Sequence, residues 1–272
     1  MKLYRFEKPE DFRWETIREN KIWMSLPSGF NDLFDCKLPC EYSPNALFDV
    51  NKIKDVANTL YSNHQKLSYF INPDFIRDVI LWSGGNDYNM PPFVKSFIHD
   101  IERLGIQCFT ELNYKNPIMW AHYADRNTGF CVEYQVVPNH PEFEFEGEGI
   151  GFRPANYTSQ MIKFDYREIL FCPDIAAIRY VTRKSSDWAY EKEWRLIYAN
   201  KDEDMPGAGY RVDLPKFIEV SGIYAGPMCK DLKVLSELKA CADHLQVPFR
   251  KIHVDPFTYE LEIYDEDFFG SF

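Results

Sequence analysis

The sequence predicts an α+β domain, with a central, mostly antiparallel sheet, helices around it and a helical insertion at about residues 45–104. Three observations predict it. Short alternating or apolar stretches bounded by Gly, Pro and Asn recur along the chain, the pattern of half-buried strands joined by turns. Apolar positions at helical spacing concentrate instead in residues 45–104. No internal repeat, low-complexity run or linker divides the 272 residues, so a single domain spanning 1–272 is expected.

Taken in order, Leu3-Tyr4-Arg5-Phe6 is a short first strand. Pro9-Glu10-Asp11 opens a helix, because Pro and acids suit a first turn, and Phe12, Trp14 and Ile17 carry its apolar side. Lys21 to Ser25 is a second strand. The following L-P-S-G-F-N-D-L-F-D, residues 26–35, is a loop. Its Asn31, Asp32 and Asp35 either bond their own backbone, or wall a pocket or bind a cation. In the insertion, Leu60, Tyr61, His64 and Leu67, then Phe93, Val94, Phe97, Ile98, Ile101 and Leu104, repeat at three and four, with a loop at 82–92 between the two sets.

Ile106 to Thr110 is a strand, Asn116-Pro117 begins a short helix reaching Asp125, and Asn127-Thr128-Gly129 is a turn. Phe130 to Val137 alternates, with Phe130, Val132 and Tyr134 on one face and Cys131, Glu133 and Gln135 on the other. Residues 140–148 form an acidic loop, and 149–172 show no dominant period. Pro173 to Lys184 is a helix. Phe217 to Tyr224, Arg250 to Val254 and Tyr259 to Tyr264 are strands; 202–209 is a turn, and Lys230 to Leu245 is an amphipathic helix.

Composition removes several functions. A net charge of −11 repels phosphate backbones, so general nucleic-acid binding is not expected. No apolar run approaches the roughly 20 residues of a membrane span. Seven dispersed cysteines, with only Cys36 and Cys40 close in a C-x3-C, match no zinc spacing and suggest reduced thiols in the cytoplasm. No metal cofactor is expected. G-E-G-I-G follows an acidic run, where three Glu would repel a pyrophosphate, so a dinucleotide fingerprint is rejected. A G-x-S-x-G nucleophile motif is absent.

The chemistry concentrates in Asp187 to Tyr198, D-W-A-Y-E-K-E-W-R-L-I-Y. It alternates aromatics with charges up to Lys192 and continues as a buried strand from Trp194. On an extended chain Glu191 and Glu193 point into one space at the strand's mouth. Two carboxylates among aromatics can divide the work, one opposing a developing cation and the other handling a proton. Arg5, inside a strand between Tyr4 and Phe6, wants an anionic partner if it faces inward. Ser25 and Thr110 place hydroxyls at strand ends. His122 lies in M-W-A-H-Y-A-D beside Trp120, Tyr123 and Asp125.

The ordered set L-Y-R-F, W-M-S-L-P-S-G-F-N-D, C-F-T-E…M-W-A-H-Y-A-D…G-F-C-V-E-Y and W-A-Y-E-K-E-W-R, from Leu3 to about Ile223, resembles a prokaryotic family known as domain of unknown function 2971. The order of the pieces is also similar to the ADP-ribosyltransferase superfamily. In that superfamily an early strand carries Arg or His, a middle strand Ser or Thr, and a late strand a Glu, often in E-x-E. Arg5, Thr110 and Glu191-Lys192-Glu193 match these elements. The middle strand reads C-F-T rather than S-T-S, and the insertion at 45–104 is extra.

This resemblance implies an ADP-ribosyltransferase-like fold and NAD as substrate, in transfer or NAD cleavage, within bacterial defence or toxin biology. Glu193 and Glu191 would be catalytic. Arg5, Tyr4, Ser25, Thr110, Trp120, His122, Tyr123 and Tyr190 would bind the nucleotide, the aromatics by stacking. The residues alone leave two rivals, a binding or sensor module without turnover and a metal-dependent hydrolase using Asp32, Asp35, Glu111 and Glu193. The expected partner is a small-molecule nucleotide, with the acceptor unidentified.

Overall fold

The computed structural model describes residues 1–36, 92–137, 150–160, 173–199 and 208–263. Most of the expected insertion, the acidic loop 140–148 and most of the turn at 202–209 lie outside them. Among the described residues the strands are β1 (Lys2–Glu7), β2 (Lys21–Ser25), β3 (Leu104–Thr110), β4 (Phe130–Val136), β5 (Ile150–Pro154), β6 (Asn156–Thr158), β7 (Arg183–Ser185), β8 (Glu193–Ala199), β9 (Gly209–Asp213), β10 (Ile218–Ala225), β11 (Phe249–Val254) and β12 (Leu261–Ile263). The helices are α1 (Asp11–Arg18), α2 (Pro92–Glu102), α3 (Pro117–Tyr123), α4 (Pro173–Val181) and α5 (Leu232–Leu245). None is long and apolar enough to cross a membrane.

The result is an α+β architecture with a mostly antiparallel central sheet. Its main path runs β12-β11-β10-β4-β1-β3-β2-β9, with β8 on the other side of β3 and β5 beyond it. Within this sheet only the β10–β11 pair is parallel. Strand β3 is the branch point. It pairs with β8 along its whole length, from Leu104↔Ala199 to Thr110↔Glu193. On its other side it meets β1 only at Tyr4↔Thr110 and β2 only at Ser25↔Ile106. β1 and β2 therefore diverge opposite Gln107–Phe109, and the sheet is forked there.

Alternation sets the two faces. Leu3 of β1 and Phe130, Val132 and Tyr134 of β4 pack with Trp14 and Ile17 of α1 and Val234, Leu238 and Cys241 of α5. Tyr4, Phe6 and Cys131 point the other way, onto Met119 and Trp120 of α3 and onto Tyr224 and Ile252. Local chemistry explains the helix starts. Asn116 accepts from the Ile118 and Met119 amides with Pro117 in the first turn, and Asp231 accepts from the Lys233 and Val234 amides.

Three elements depart from the sequence expectation. The helix predicted over Pro173–Lys184 ends at Val181, and Lys184 lies on β7, paired in parallel with β6 (Tyr157↔Lys184). Asp187 to Lys192 is not extended. Ser186–Glu191 form a 3-10 turn capped by the Ser185 hydroxyl, and Lys192 follows in a left-handed conformation, φ 47° and ψ 53°. The stretch with no dominant period contains β5 and β6.

After α3 the chain turns through Asp125, Arg126 and Asn127, all at positive φ, and reaches Gly129. A Cβ at Gly129 would lie 2.1 Å from the Glu7 carbonyl oxygen and 3.1 Å from backbone atoms of Ala124. These are rigid neighbours. Gly129→Ala should therefore destabilise the protein by about 1–3 kcal/mol, the usual penalty for overpacking. Urea unfolding checks this, and an unchanged midpoint would contradict the close approach.

Candidate functional site

A cavity of about 340 Å³ lies against the fork. β1 and the start of α1 line it on one side of β3, and β7 and the turn into β8 line it on the other, while α3 and the loop after β2 complete the wall. Its two sides carry different charge.

The β8 side holds five charged side chains. Lys184 Nζ donates to Glu191 Oε2 and to Glu193 Oε2, each at 2.5 Å. Arg195, fully buried, donates from Nε to Glu193 Oε1 at 2.6 Å and binds Asp35 through both terminal nitrogens at 2.8 and 2.6 Å. It also donates to the Val181 carbonyl and to Cys36 Sγ at 3.4 Å, and Phe30 stacks under it at 5.6 Å. The Tyr123 hydroxyl donates to Glu191 Oε1. Three carboxylates face two cations, so one negative charge is left over when all are ionised.

The two glutamates hold protons differently. Burial works against the Glu193 carboxylate, but Arg195 and Lys184 outweigh burial and bring its pKa down to about 2. Burial dominates at Glu191 and pushes it above the ordinary carboxylate range, against the pull of Lys184 and the Tyr123 hydrogen bond. The Lys184 ammonium is held on despite burial, because Glu193 and Glu191 flank it. Burial keeps the Cys108 thiol, also on the cavity wall, protonated.

The β1 side is basic. Glu7 accepts from Arg5 through one oxygen and from Arg13 through the other, and Arg13 also binds Glu10 at 2.6 Å. The Arg5 Nη1 reaches the Cys108 carbonyl at 3.3 Å, in the stretch of β3 that the fork leaves without a strand on this side. Lys8 is exposed beside them and also lines the cavity. Three cations against Glu7 and Glu10 leave a positive surplus.

Of the residues singled out in the sequence, Tyr4, Arg5, Ser25, Thr110, His122, Tyr123, Glu191 and Glu193 all line this one cavity. Trp120 and Tyr190 do not. Trp120 is fully buried in the core, edge-on to Phe6, with its indole N–H given to the Tyr114 carbonyl at 2.6 Å, so it has no face to offer a ligand. Tyr190 is exposed beside His122, its hydroxyl 3.3 Å from Nδ1. Two others carry structural bonds. Thr110 Oγ1 donates to the Glu191 carbonyl and accepts from the Leu112 amide, and the Tyr4 hydroxyl donates to Glu133. The residues named for a metal-dependent hydrolase each carry at least one bond in the fold. Asp35 and Glu193 bind Arg195, Asp32 accepts from the Phe34 amide, and Glu111 accepts from the Trp194 indole.

Lys184, Arg195 and Arg13 were not picked out as site residues, and Asp35 was singled out only as a pocket wall or metal ligand, not as the partner of a buried arginine. Arg195 carried a usable signal, a charged residue inside an otherwise apolar strand. Lys184 carried none, because its strand reads as the end of a helix.

The fold and the site define an α+β protein with a charge-divided cavity at a sheet fork. Residues 119–196, spanning α3 to the middle of β8, match a family described as "Protein of unknown function (DUF2971)". The matched segment contains Tyr123, Lys184, Glu191, Glu193 and Arg195. No curated protein and no solved structure gives a significant match.

The ion network sets a pH dependence. The folded pKa of Glu193, about 2, lies below the unfolded value of about 4.3. Between those values the unfolded chain binds more protons, so this group's contribution is complete above the higher value and is lost as pH falls through about 2. Arg195→Met would leave Asp35 and Glu193 buried without their main cation, a loss of about 3–5 kcal/mol at neutral pH. The loss should shrink towards pH 4, where an unclamped Glu193 takes up a proton. Urea unfolding at both pH values checks this; equal losses would show that charge compensation is not what Arg195 supplies.

Proposed function

We propose that the cavity binds a nicotinamide dinucleotide and cleaves its ribosyl–nicotinamide bond, passing the ADP-ribosyl group to water or to an acceptor. One observation carries the reading: a single cavity has a negative surplus on one side and a positive surplus on the other. NAD pairs a cationic nicotinamide-ribose with an anionic pyrophosphate, and each end would meet opposite charge.

The chemistry follows from the two glutamates. As the C–N bond breaks, its electron pair leaves with nicotinamide and positive charge develops on the ribose, as in glycoside cleavage. Glu193 stays ionised and opposes that charge from a fixed position. Glu191 holds a proton more readily, so it receives the proton of the attacking water or acceptor. The wall is then negative while the cation develops and neutral once the acceptor's proton has arrived. Arg5, Arg13 and Lys8 suit the pyrophosphate, and His122 and Tyr123 lie against the cavity as ring surfaces.

Nicotinamide release from NAD tests the reading. Glu193→Gln keeps size and hydrogen bonding and removes the charge, so the rate should fall about a hundredfold, equivalent to about 3 kcal/mol. Glu191→Gln should lose acceptor-dependent transfer while slow hydrolysis persists. Arg13→Met should instead raise KM about tenfold or more, the loss of a charge-assisted bond to the pyrophosphate, with kcat little changed. Undiminished release from a folded Glu193→Gln protein would end its assignment. NAD binding without any release in the wild type would make the cavity a sensor.

A further inference from the structure

We propose that Lys184 is the positioning residue of this cavity: from a fixed strand it holds the carboxylates of Glu191 and Glu193 on one point and sets how readily Glu191 takes up a proton. The proposal deepens the cleavage reading and rests on it only where turnover is concerned.

The first support is that Lys184 is itself held. Its backbone is locked by the parallel pairing of β7 with β6, Tyr157 facing Lys184. The same Tyr157 anchors the target, its hydroxyl accepting the Glu193 amide at 2.8 Å. The lysine side chain is 7% exposed, and its ammonium sits 5.2 Å from the centre of the Trp188 ring. An ammonium is a compact charge with three donors, and two of them are spent at 2.5 Å on the facing oxygens of the two glutamates. Glu191 and Glu193 belong to different elements, a 3-10 turn and a strand, joined by the left-handed Lys192. Lys184 touches both carboxylates and so fixes their separation.

The second support is asymmetry in what else they touch. Glu193 meets Arg195 on its own strand with its other oxygen, so it faces two full charges. Around it also stand Cys108 from β3, Asp35 and Cys36 around Arg195, and Tyr157 from β6. Glu191 meets a neutral hydroxyl, that of Tyr123 from α3, with its other oxygen. Its other charged or titratable neighbours include Glu193, Tyr190 and Tyr157. Among the described residues, Lys184 is thus the sole full positive charge touching Glu191 and one of two touching Glu193. Removing it should raise the proton affinity of Glu191 most.

The test needs no substrate. Full-length protein carrying 13C at the glutamate side-chain carboxyl is titrated by NMR, with the Glu191 and Glu193 signals assigned from Glu191→Gln and Glu193→Gln. In the wild type, Glu191 should titrate at higher pH than Glu193. In Lys184→Met the Glu191 midpoint should move up by about one pH unit or more, the usual effect of losing an opposite charge at contact. Lys184→Arg, which restores the charge, should bring it back towards the wild-type value. A folded Lys184→Met protein with a wild-type Glu191 titration overturns the proposal. So does a wild type in which the two carboxylates titrate together, a result that needs no Lys184 variant to fold.

Nicotinamide release measured on the same samples separates the two claims. If none occurs while the titration still follows Lys184, the cleavage reading falls and the positioning role stands. If release occurs, the acidic limb of kcat should move up with the titration in Lys184→Met. A merely structural lysine would lower the unfolding midpoint and leave that limb in place.

Discussion

The buried guanidinium of Arg195 is the constraint on which the site depends. It is fully removed from water, and an unpaired cation there would cost several kcal/mol. It is compensated by ligands from three separate segments: Asp35 after β2, Val181 at the end of α4, and Glu193 at the start of its own strand. A planar fork of donors can satisfy all three at once, with Asp35 bound bidentately, which a lysine at the same place could not do. Because Arg195 lies opposite Cys108 in the β3–β8 ladder, the loop after β2 and the end of α4 are both drawn against the centre of the sheet. One electrostatic requirement thereby gathers the cavity wall from distant parts of the chain.

That arrangement gives the two glutamates unequal environments. Glu193 is the near ligand of Arg195 and is pinned as an anion. Glu191 is one turn away, where the left-handed Lys192 redirects the chain, and among the described residues no guanidinium reaches it. Had residues 191–193 run as a regular strand, the two carboxylates would share a face and nearly a common environment. The 3-10 turn breaks that equivalence, so the backbone irregularity and the difference in proton affinity have one origin. Thr110 completes the arrangement from β3, its hydroxyl binding the Glu191 carbonyl and holding the turn against the sheet.

Much of this was legible in the sequence, for reasons that are local. Alternation in Phe130 to Val136 assigned each side chain to a face correctly, because a half-buried strand exposes the period directly. The Asn116-Pro117 start of α3 was legible because capping is local hydrogen bonding. E-x-E drew attention by composition, and both glutamates do line the cavity, although by a turn and not by an extended chain. What escaped reading depends on long-range pairing. Lys184 lies on a strand of three residues whose partner is β6, and Arg183-Lys184-Ser185 carries no periodicity of its own. Trp120 looked like a stacking platform beside His122, yet on an α-helix residues two apart lie on nearly opposite sides, so α3 puts one in the core and the other at the surface. Asp35 looked like a loop aspartate, because nothing local announces a partner 160 residues later.

The charge balance itself bears on whether the network is only a strut. Buried ion clusters that serve stability alone gain most by closing neutral, since any surplus charge must be desolvated without a partner. Asp35, Arg195 and Glu193 with Lys184 already form such a closed set, two anions with two cations. Glu191 is the additional carboxylate. It adds nothing to the compensation of Arg195, it lies on the cavity wall, and burial holds its proton affinity above the ordinary range. On the far side of β3, Glu7 is likewise outnumbered, but with the sign reversed, since Arg5 and Arg13 share it and Lys8 stands beside them. Each surplus costs stability where it stands, and the two are placed around one volume. A ligand with a cationic and an anionic end would neutralise both, and this complementarity gives the extra carboxylate and the crowded arginines a common physical reason.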